Sequence, residues 1–398
     1  MHVKQVLSRW LEQRTVVGHA MRATALVRVL QALVLGSKAT LSQLGRSRSG
    51  TARVKHHIKA VDRLLGNRHL HRECAAIYRA IAETLLSGVQ SPLLAVDWSD
   101  FECGGGRRWA MLKAAVPVGG RAVVVYSRVF PFKRYNSPGA HREFLSGLQL
   151  VLPEGCKPIL ITDAGFRGPW FRAVETMGWD WVGRIRNKIK YLNEQTGRWC
   201  FTDSLYKLAT PITRYVGNVV LSRRHGYSFN LYLVRAHAPA RGGRRKQNTR
   251  RPNAKMYRKL HRAPWLLATS LKHEPGIERR IKQLYATRMQ IEETLRDNKS
   301  HRYGFGLRYA RSRSAQRLQV LLLLVALATL VFWLVGLAGR TRDLARSLQA
   351  NTIRHRAVLS TPFVGRVLIL RRLAHFTQAV IEQALLDLRV LIAHPNFT

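Results

Sequence analysis

Acidic side chains are scarce in this chain of 398 residues. It has 22 Asp and Glu against 67 Lys and Arg, so its formal net charge is +45. Such an excess is strongly self-repulsive unless a polyanion neutralises part of it. Nucleic acid is therefore the expected partner, with binding that weakens steeply as salt rises because bound counterions are released.

Cysteines and long apolar segments are also few. The four cysteines include no Cys-x-x-Cys pair, which argues against a zinc knuckle or a disulfide framework and favours a reducing compartment. The opening MHVKQVLSRWLEQRTVV has no long apolar region and predicts no signal peptide. One uncharged run, 320–339, could cross a bilayer, and a helix buried on all sides of a large domain is the alternative.

The N-terminal part, 1–88, is expected to be helical. Within it, 38–67 contains two short helical patterns around a turn rich in Gly, Ser and Arg. This pattern fits either a helix-turn-helix or a basic helical bundle. The cations available for DNA phosphates are Lys38, Arg46, Arg48, Arg53 and Lys55.

From residue 89 the pattern changes toward strands. SPLLAVDWSD is an apolar strand expected to end at Asp97, 108–130 predicts a hairpin with Gly119 and Gly120 at its turn, and KPILITDAGF is a buried strand ending at Asp163. A hairpin followed by alternating helices and strands predicts a mixed α/β sheet with helices packed on it.

Later segments complete the predicted organisation. Residues 187–263 are expected to form a β-rich insertion in the α/β core (89–186 and 264–345), and 346–398 a C-terminal helical region. The insertion contains a basic loop expected to contact a polyanion. Its candidate DNA-binding residues are Arg244, Arg245 and Lys246.

The stretch YATRMQIEETLRDNKS, 285–300, reads as one helix. At about 100° per residue, Tyr285, Arg288, Glu292 and Lys299 fall within an arc of roughly 60°. Glu293 lies about 100° from Glu292 and outside that arc. A solvated helix face with ordinary intrahelical ion pairs is the alternative to a functional face.

Three carboxylates stand out, namely Asp97, Asp163 and Glu292. In α/β sheets functional groups collect at the carboxyl ends of strands. Gathering three carboxylates costs Coulombic repulsion, which divalent cations remove. Mg²⁺ prefers oxygen ligands, and two such ions can activate a nucleophile and stabilise a leaving oxygen in phosphoryl transfer. The set predicts a nuclease-like site.

These residues resemble the insertion-sequence-four family of bacterial DDE transposases. Tyr285, Arg288, Glu292 and Lys299 fit its Tyr-x2-Arg-x3-Glu-x6-Lys signature, and VDWSD and ITDAGF resemble its two aspartate blocks. The resemblance implies an RNase H-like core interrupted by a β-strand insertion, and helical N- and C-terminal regions. It also implies a bacterial, cytoplasmic, nucleoid-associated protein.

The resemblance further implies cut-and-paste transposition through DNA hairpins. Asp97, Asp163 and Glu292 would bind two Mg²⁺ ions, with Mn²⁺ as an expected substitute, and Tyr285, Arg288 and Lys299 would hold DNA phosphates. Trp265 would support a flipped base, with a core tryptophan as its alternative. The implied partners are double-stranded DNA (transposon ends and target), a second copy in a synaptic homodimer and optionally a host DNA-bending protein, with no membrane.

Three other functions are weighed against this one. They are an RNase H-like nuclease without strand transfer, a non-catalytic DNA-binding protein in which the acidic cluster is accidental, and a membrane-anchored basic protein.

Overall fold

The structure is a computed structural model of the chain. It describes residues 17–36, 38–103, 107–186, 189–193, 196–221, 226–236, 263–312, 314–350, 352–353 and 355–395. The chain divides into two compact units, and each is described by itself. The first comprises Met1–Pro158 and Arg288–Thr398, and the second Ile159–Thr287.

Helices and strands follow one another along the described chain as a mixed α/β protein, which confirms the predicted class. The helices are α1 Ala20–Gly36, α2 Leu41–Arg46, α3 Val54–Leu65, α4 Arg68–Leu86, α5 Pro138–Val151, α6 Gly168–Thr176, α7 Ile277–Ala286, α8 Met289–Lys299, α9 Ala315–Thr341, α10 Leu344–Ser347, α11 Thr361–Leu370 and α12 Gln378–Ala393. The strands are β1 Leu93–Cys103, β2 Arg107–Val118, β3 Arg121–Pro131, β4 Ile159–Thr162, β5 Asp180–Ile185, β6 Lys190–Asn193, β7 Arg198–Phe201, β8 Arg214–Leu221, β9 Tyr227–Val234 and β10 Trp265–Thr269.

Three long antiparallel strands form the sheet of the first unit, with β2 between β1 and β3. The predicted hairpin is confirmed, because Gly119 and Gly120 connect β2 to β3 with φ angles of 49° and 88°. A backbone with positive φ at both turn positions favours glycine, which explains the Gly-Gly pair.

Helix α9 is the apolar run that could have crossed a membrane. By length and composition it is the one such helix in the described chain, and its most apolar window is wholly buried. It packs against β3, α4, α11 and α12. The expectation of a helix buried inside a large domain is therefore confirmed.

Glycines bring α9 and α11 into close contact. A Cβ on Gly365 would lie 2.0 Å from the carbonyl oxygen of Phe332, and one on Gly336 equally close to that of Thr361. No side chain fits in so little space, so this contact depends on glycine in both helices.

Helices α2 and α3 form the helical pair predicted for the N-terminal part. A Cβ on Gly45 would lie 2.4 Å from Ile58 Cγ1, so glycine allows the two helices to approach closely. Residues 47–53 connect them, a longer link than the three or four residues of a standard helix-turn-helix.

The second unit is built on a sheet with the strand order β4-β5-β10-β9-β8-β6-β7. Strand β4 is parallel to β5. Every other pair of neighbouring strands in this order, from β5-β10 to β6-β7, is antiparallel. In its core the rings of Phe171 and Trp181 stack with centroids 3.9 Å apart. The five-part domain division predicted from the sequence stays a prediction.

The predicted single helix 285–300 was wrong, because α7 ends at Ala286 and α8 begins at Met289. At the break, the Thr287 amide donates hydrogen bonds to the carbonyls of both Gln283 and Leu284. The Ile291 amide donates to the carbonyl of Arg288, three residues back. This tightening toward i-to-i−3 bonding ends one helix before the next begins. Angles counted from Tyr285 through Lys299 on one ideal helix therefore do not apply.

Candidate functional site

Asp97 lies in the middle of β1, not at the end of a strand as predicted. The antiparallel pairing with β2 continues beyond it, to Cys103 opposite Arg107. Those added pairs lengthen the strand past the apolar run on which the prediction was based. Asp97 is half-buried, and Lys113 of β2 lies directly opposite it.

Lys113 is a buried lysine that the sequence analysis missed. It is 1% exposed, and burial, together with the charge of Lys299, lowers its pKa to about 7. Lys113 also lies opposite Ser127 of β3, whose hydroxyl shares a hydrogen bond of 2.5 Å with that of Tyr78. A single lysine within the apolar strand RWAMLKAAVPV was the available signal.

Lys299, the last residue of α8, brings a cation close to Asp97. Burial lowers the pKa of Lys299 and the charge of Arg308 adds to this, whereas the carboxylates of Asp100 and Asp97 act in the opposite direction. The structure therefore places Lys299 in the electrostatic environment of the first predicted aspartate.

Glu292 forms an ion pair with Arg288 within one turn, with 2.6 Å between Oε1 and Nη1. The Arg288 side chain is 11% exposed and that of Glu292 is 40% exposed. Arg288 is thus largely buried, while the carboxylate remains accessible.

Glu293 has a different set of contacts from Glu292. It pairs with Arg296 on the same helix and lies 3.9 Å from Arg121 of β3. Arg121 also bonds Asp297 at 2.7 Å, and the amide of Ala122 donates to Thr294 Oγ1 at 2.8 Å. These contacts fasten α8 to β3, so Glu293 belongs to the attachment of the helix.

Asp163 directly follows β4 in the second unit, which confirms its predicted place at a strand end. Its Oδ1 accepts a hydrogen bond of 2.9 Å from the Gly165 amide, a local turn that fixes the carboxylate. The same unit holds Trp265 and Tyr285, whose rings meet edge to face with centroids 4.9 Å apart. Tyr285 is buried and Trp265 is half-buried.

The predicted N-terminal cations differ in their surroundings. Arg46, Arg53 and Lys55 are exposed, whereas Lys38 donates to the carbonyl of His301 and Arg48 to that of His57 at 3.3 Å. Burial lowers the pKa of both Lys38 and Arg48. The predicted cations of the basic loop, Arg244, Arg245 and Lys246, lie outside the described residues.

The three predicted metal ligands have suitable donor atoms but are not grouped within the described part of the chain. Carboxylate oxygens of Asp97, Asp163 and Glu292 suit Mg²⁺. Within the described part of the chain, however, no three His, Cys, Asp or Glu side chains are grouped closely enough to hold an ion. Cations stand in the neighbourhood of two of the three, Lys299 near Asp97 and Arg288 on Glu292. The donors therefore fit the ion chemically, and basic side chains lie near two of them, Asp97 and Glu292.

Comparison with known proteins adds one match. The family described as "Transposase DDE domain" matches residues 89–329. That range contains β1, β4 and α8, and with them all three predicted carboxylates. No curated protein matches the chain.

Proposed function

This chain belongs to the DDE transposase family, and from that membership we propose that it moves an insertion sequence by cut-and-paste transposition. The family implies an RNase H-like core and a DNA-binding enzyme that cleaves and transfers strands. The observation that carries the proposal is the matched range, 89–329, which contains Asp97, Asp163 and Glu292 in the order of the family name.

In this proposal the three carboxylates hold two Mg²⁺ ions, for which Mn²⁺ would substitute. The ions would supply an activated water or 3′-hydroxyl and stabilise the leaving oxygen. Arg288 is suited to a bidentate phosphate contact, while Lys299 would act as a point charge. The ion pair of Arg288 with Glu292 supports a role for both residues in one site, because a metal on Glu292 would free the guanidinium for phosphate.

The finer steps are also proposed. A nick at each transposon end would free a 3′-hydroxyl that attacks the opposite strand and forms a hairpin, with a flipped base held by Trp265. Its contact with Tyr285 supports this role, since a half-buried indole on a tyrosine edge keeps surface for stacking. We expect a synaptic homodimer acting on transposon ends and target DNA, assisted where needed by a host DNA-bending protein.

The signature spacing supports placement in the insertion-sequence-four group. Within that group we propose a resemblance to the transposase of the tetracycline-resistance composite transposon. A bacterial, cytoplasmic, nucleoid-associated location is proposed with it.

The deciding experiment supplies the full chain with Mg²⁺ and DNA that carries the two ends flanking its gene. A transposase yields nicks, hairpin ends and joined products. A nuclease without strand transfer yields only free ends, and a protein that only binds DNA leaves the substrate intact. Asp97→Asn is the matched control, because it removes one charge without changing the side-chain shape, and it should bind the ends without cutting them.

A further inference from the structure

An aromatic and basic surface is formed by residues of β1, of the start of β2 and of the connection from β3 to α5. It is formed by Trp98, Arg108, Phe132 and Tyr135, and is called the Tyr135 surface below. The guanidinium of Arg108 covers the ring of Phe132 at 3.7 Å, and the Tyr135 ring lies nearly parallel to that of Phe132, with centroids 5.6 Å apart. The ring of Trp98 packs at a tilt against that of Tyr135, with 5.1 Å between the centroids.

Tyr135 is 45% exposed, although it packs on two aromatic rings. A short, ordered connection holds it there. Its amide donates to the Phe132 carbonyl at 2.9 Å, Asn136 takes a left-handed φ of 54°, and Ser137 caps the first turn of α5. An exposed aromatic ring held in one position loses little entropy when a ligand stacks on it.

Charge favours an anionic ligand at this surface. Arg108 pairs with Asp100 at 2.7 Å, and Arg134 with Glu143 at the same distance. Lys133 and Arg142 are exposed nearby, and among the described residues neither takes part in an ion pair. Rings and guanidinium planes beside uncompensated cations are what single-stranded nucleic acid requires, because each base has a π face and each nucleotide a charge.

The Tyr135 surface is separate from the carboxylate of Asp97, and its Arg108 pairs with Asp100, a carboxylate on which the charge of Lys299 acts. Neighbouring residues on a strand point to opposite faces, so Trp98 and Asp97 project from opposite sides of β1. Burial alone would raise the pKa of Asp100, but the hydrogen bond from Arg108 and the charge of Lys299 lower it. From Asp100 onward the contacts are direct: Asp100 pairs with Arg108, Arg108 covers the Phe132 ring, and that ring stacks with Tyr135.

We propose that the Tyr135 surface stacks an unpaired base of the DNA strand that extends beyond Lys299. This inference rests on the proposed function, in which Lys299 holds a phosphate near the cleaved position. The base would lie on the exposed side of the Tyr135 ring, and Lys133 and Arg142 would attract the neighbouring phosphates. It would be a second stacking position, distinct from that proposed for Trp265 in the other unit.

The test uses the full chain and the DNA end that flanks its gene, as a duplex with a short single-stranded tail. 2-Aminopurine is placed at each tail position in turn, since stacking on an aromatic ring quenches its fluorescence. With wild-type protein at least one tail position should be quenched. The quenching should persist in Tyr135→Phe and disappear in Tyr135→Ala and Tyr135→Leu, which should bind the tailed DNA roughly five- to a hundredfold more weakly.

The matched control is Phe201→Ala in β7. Phe201 is 44% exposed and carries the Lys190 ammonium 5.2 Å from its ring centroid, yet it is not part of the Tyr135 surface. This variant should quench as wild type does. Binding of blunt duplex should be nearly equal in Tyr135→Ala and wild type. Should Tyr135→Ala fail to fold, the comparison of Tyr135→Phe with Tyr135→Leu still decides.

Full quenching in Tyr135→Ala or Tyr135→Leu would overturn the inference, as would an equal loss of affinity for blunt duplex. The assay measures binding and needs no cleavage. A wild-type protein that cuts its ends while Tyr135→Ala quenches normally therefore refutes only the stacking site. If the wild-type protein never cuts DNA but the quenching depends on the ring at position 135, only the proposed transposase chemistry is refuted.

Discussion

Asp97 on β1 lies directly opposite Lys113 on β2, and Lys113 is almost completely buried. Directly opposed residues of an antiparallel pair project from the same face with Cβ atoms roughly 5 Å apart. The cation thus comes from within the sheet, next to the first proposed ligand.

Replacing Lys113 with Met should stabilise the protein and impair DNA cleavage. A buried ammonium carries a desolvation cost that methionine lacks, and removing it should raise the free energy of unfolding by about 1–4 kcal/mol. The loss of positive charge beside Asp97 should at the same time reduce strand cleavage. Urea unfolding and a cleavage assay measure the two effects, and a variant that is less stable would show that the lysine is favourably paired.

Glu292→Gln and Glu293→Gln should separate chemistry from structure. The first should reduce cleavage by at least about a hundredfold, as expected for loss of a metal ligand, while leaving DNA-end affinity nearly unchanged. The second should lose the pairs with Arg121 and Arg296, which costs about 0.5–1 kcal/mol of stability, and retain most of the cleavage. Cleavage rates and chemical unfolding of both variants measure this contrast. Equal losses of activity would contradict the assignment of Glu292 as the ligand.

Acid should destabilise the protein through His141. Its Nε2 accepts a hydrogen bond of 3.1 Å from Trp98 Nε1, and burial lowers its pKa from 6.5 to about 4. Between these values the unfolded chain binds a proton that the folded chain does not, so stability is full above about pH 6.5 and falls as the pH approaches 4.

At about 1.4 kcal/mol per pKa unit, the loss at pH 4 amounts to roughly 3 kcal/mol. His141→Gln keeps an acceptor for the Trp98 indole but does not titrate. The wild type should therefore lose this amount relative to the variant when urea unfolding is compared at pH 7 and pH 4. An equal loss of unfolding free energy between pH 7 and pH 4 in the two proteins would show that His141 does not cause the destabilisation by acid.

Gly365→Ala should destabilise the contact between α9 and α11. The new methyl would lie 2.0 Å from the Phe332 carbonyl oxygen, so the helices must separate, at a cost of about 1–3 kcal/mol or more. Gly139→Ala in α5 is the matched control, since its nearest neighbour is the end of the Arg134 side chain at 3.9 Å. Alanine there should be neutral or stabilising by up to about 1 kcal/mol. Thermal unfolding distinguishes the two, and similar melting temperatures would mean that α11 can shift freely.

Local patterns in the sequence were enough for much of the fold. Gly119 and Gly120 predicted the hairpin because only such a pair readily takes positive φ twice in succession. The run before Asp163 predicted a buried strand that ends there, and the uncharged run 320–339 predicted a long apolar helix, either across a bilayer or inside a large domain. Each of these features depends on residues that are adjacent in the sequence and on the hydrophobic effect.

Other features depended on partners distant in the sequence. The length of β1 past Asp97 is set by hydrogen bonds from β2, and the burial of Lys113 by α8 and the strands on either side. The end of α7 at Ala286 could not be predicted from the sequence, because the helical spacing of apolar and polar residues continues through it and no glycine or proline marks the break.

The sequence by itself determined the strong positive charge, the identity and order of the three carboxylates and the helical or extended character of most segments, since these follow from composition and short-range periodicity. Only the tertiary structure decided which cations lie beside Asp97 and Glu292, and that Trp98, Arg108, Phe132 and Tyr135 share one surface. Such neighbours are brought together by strand pairing and packing. These depend on the whole chain and cannot be predicted from the residue at any one position.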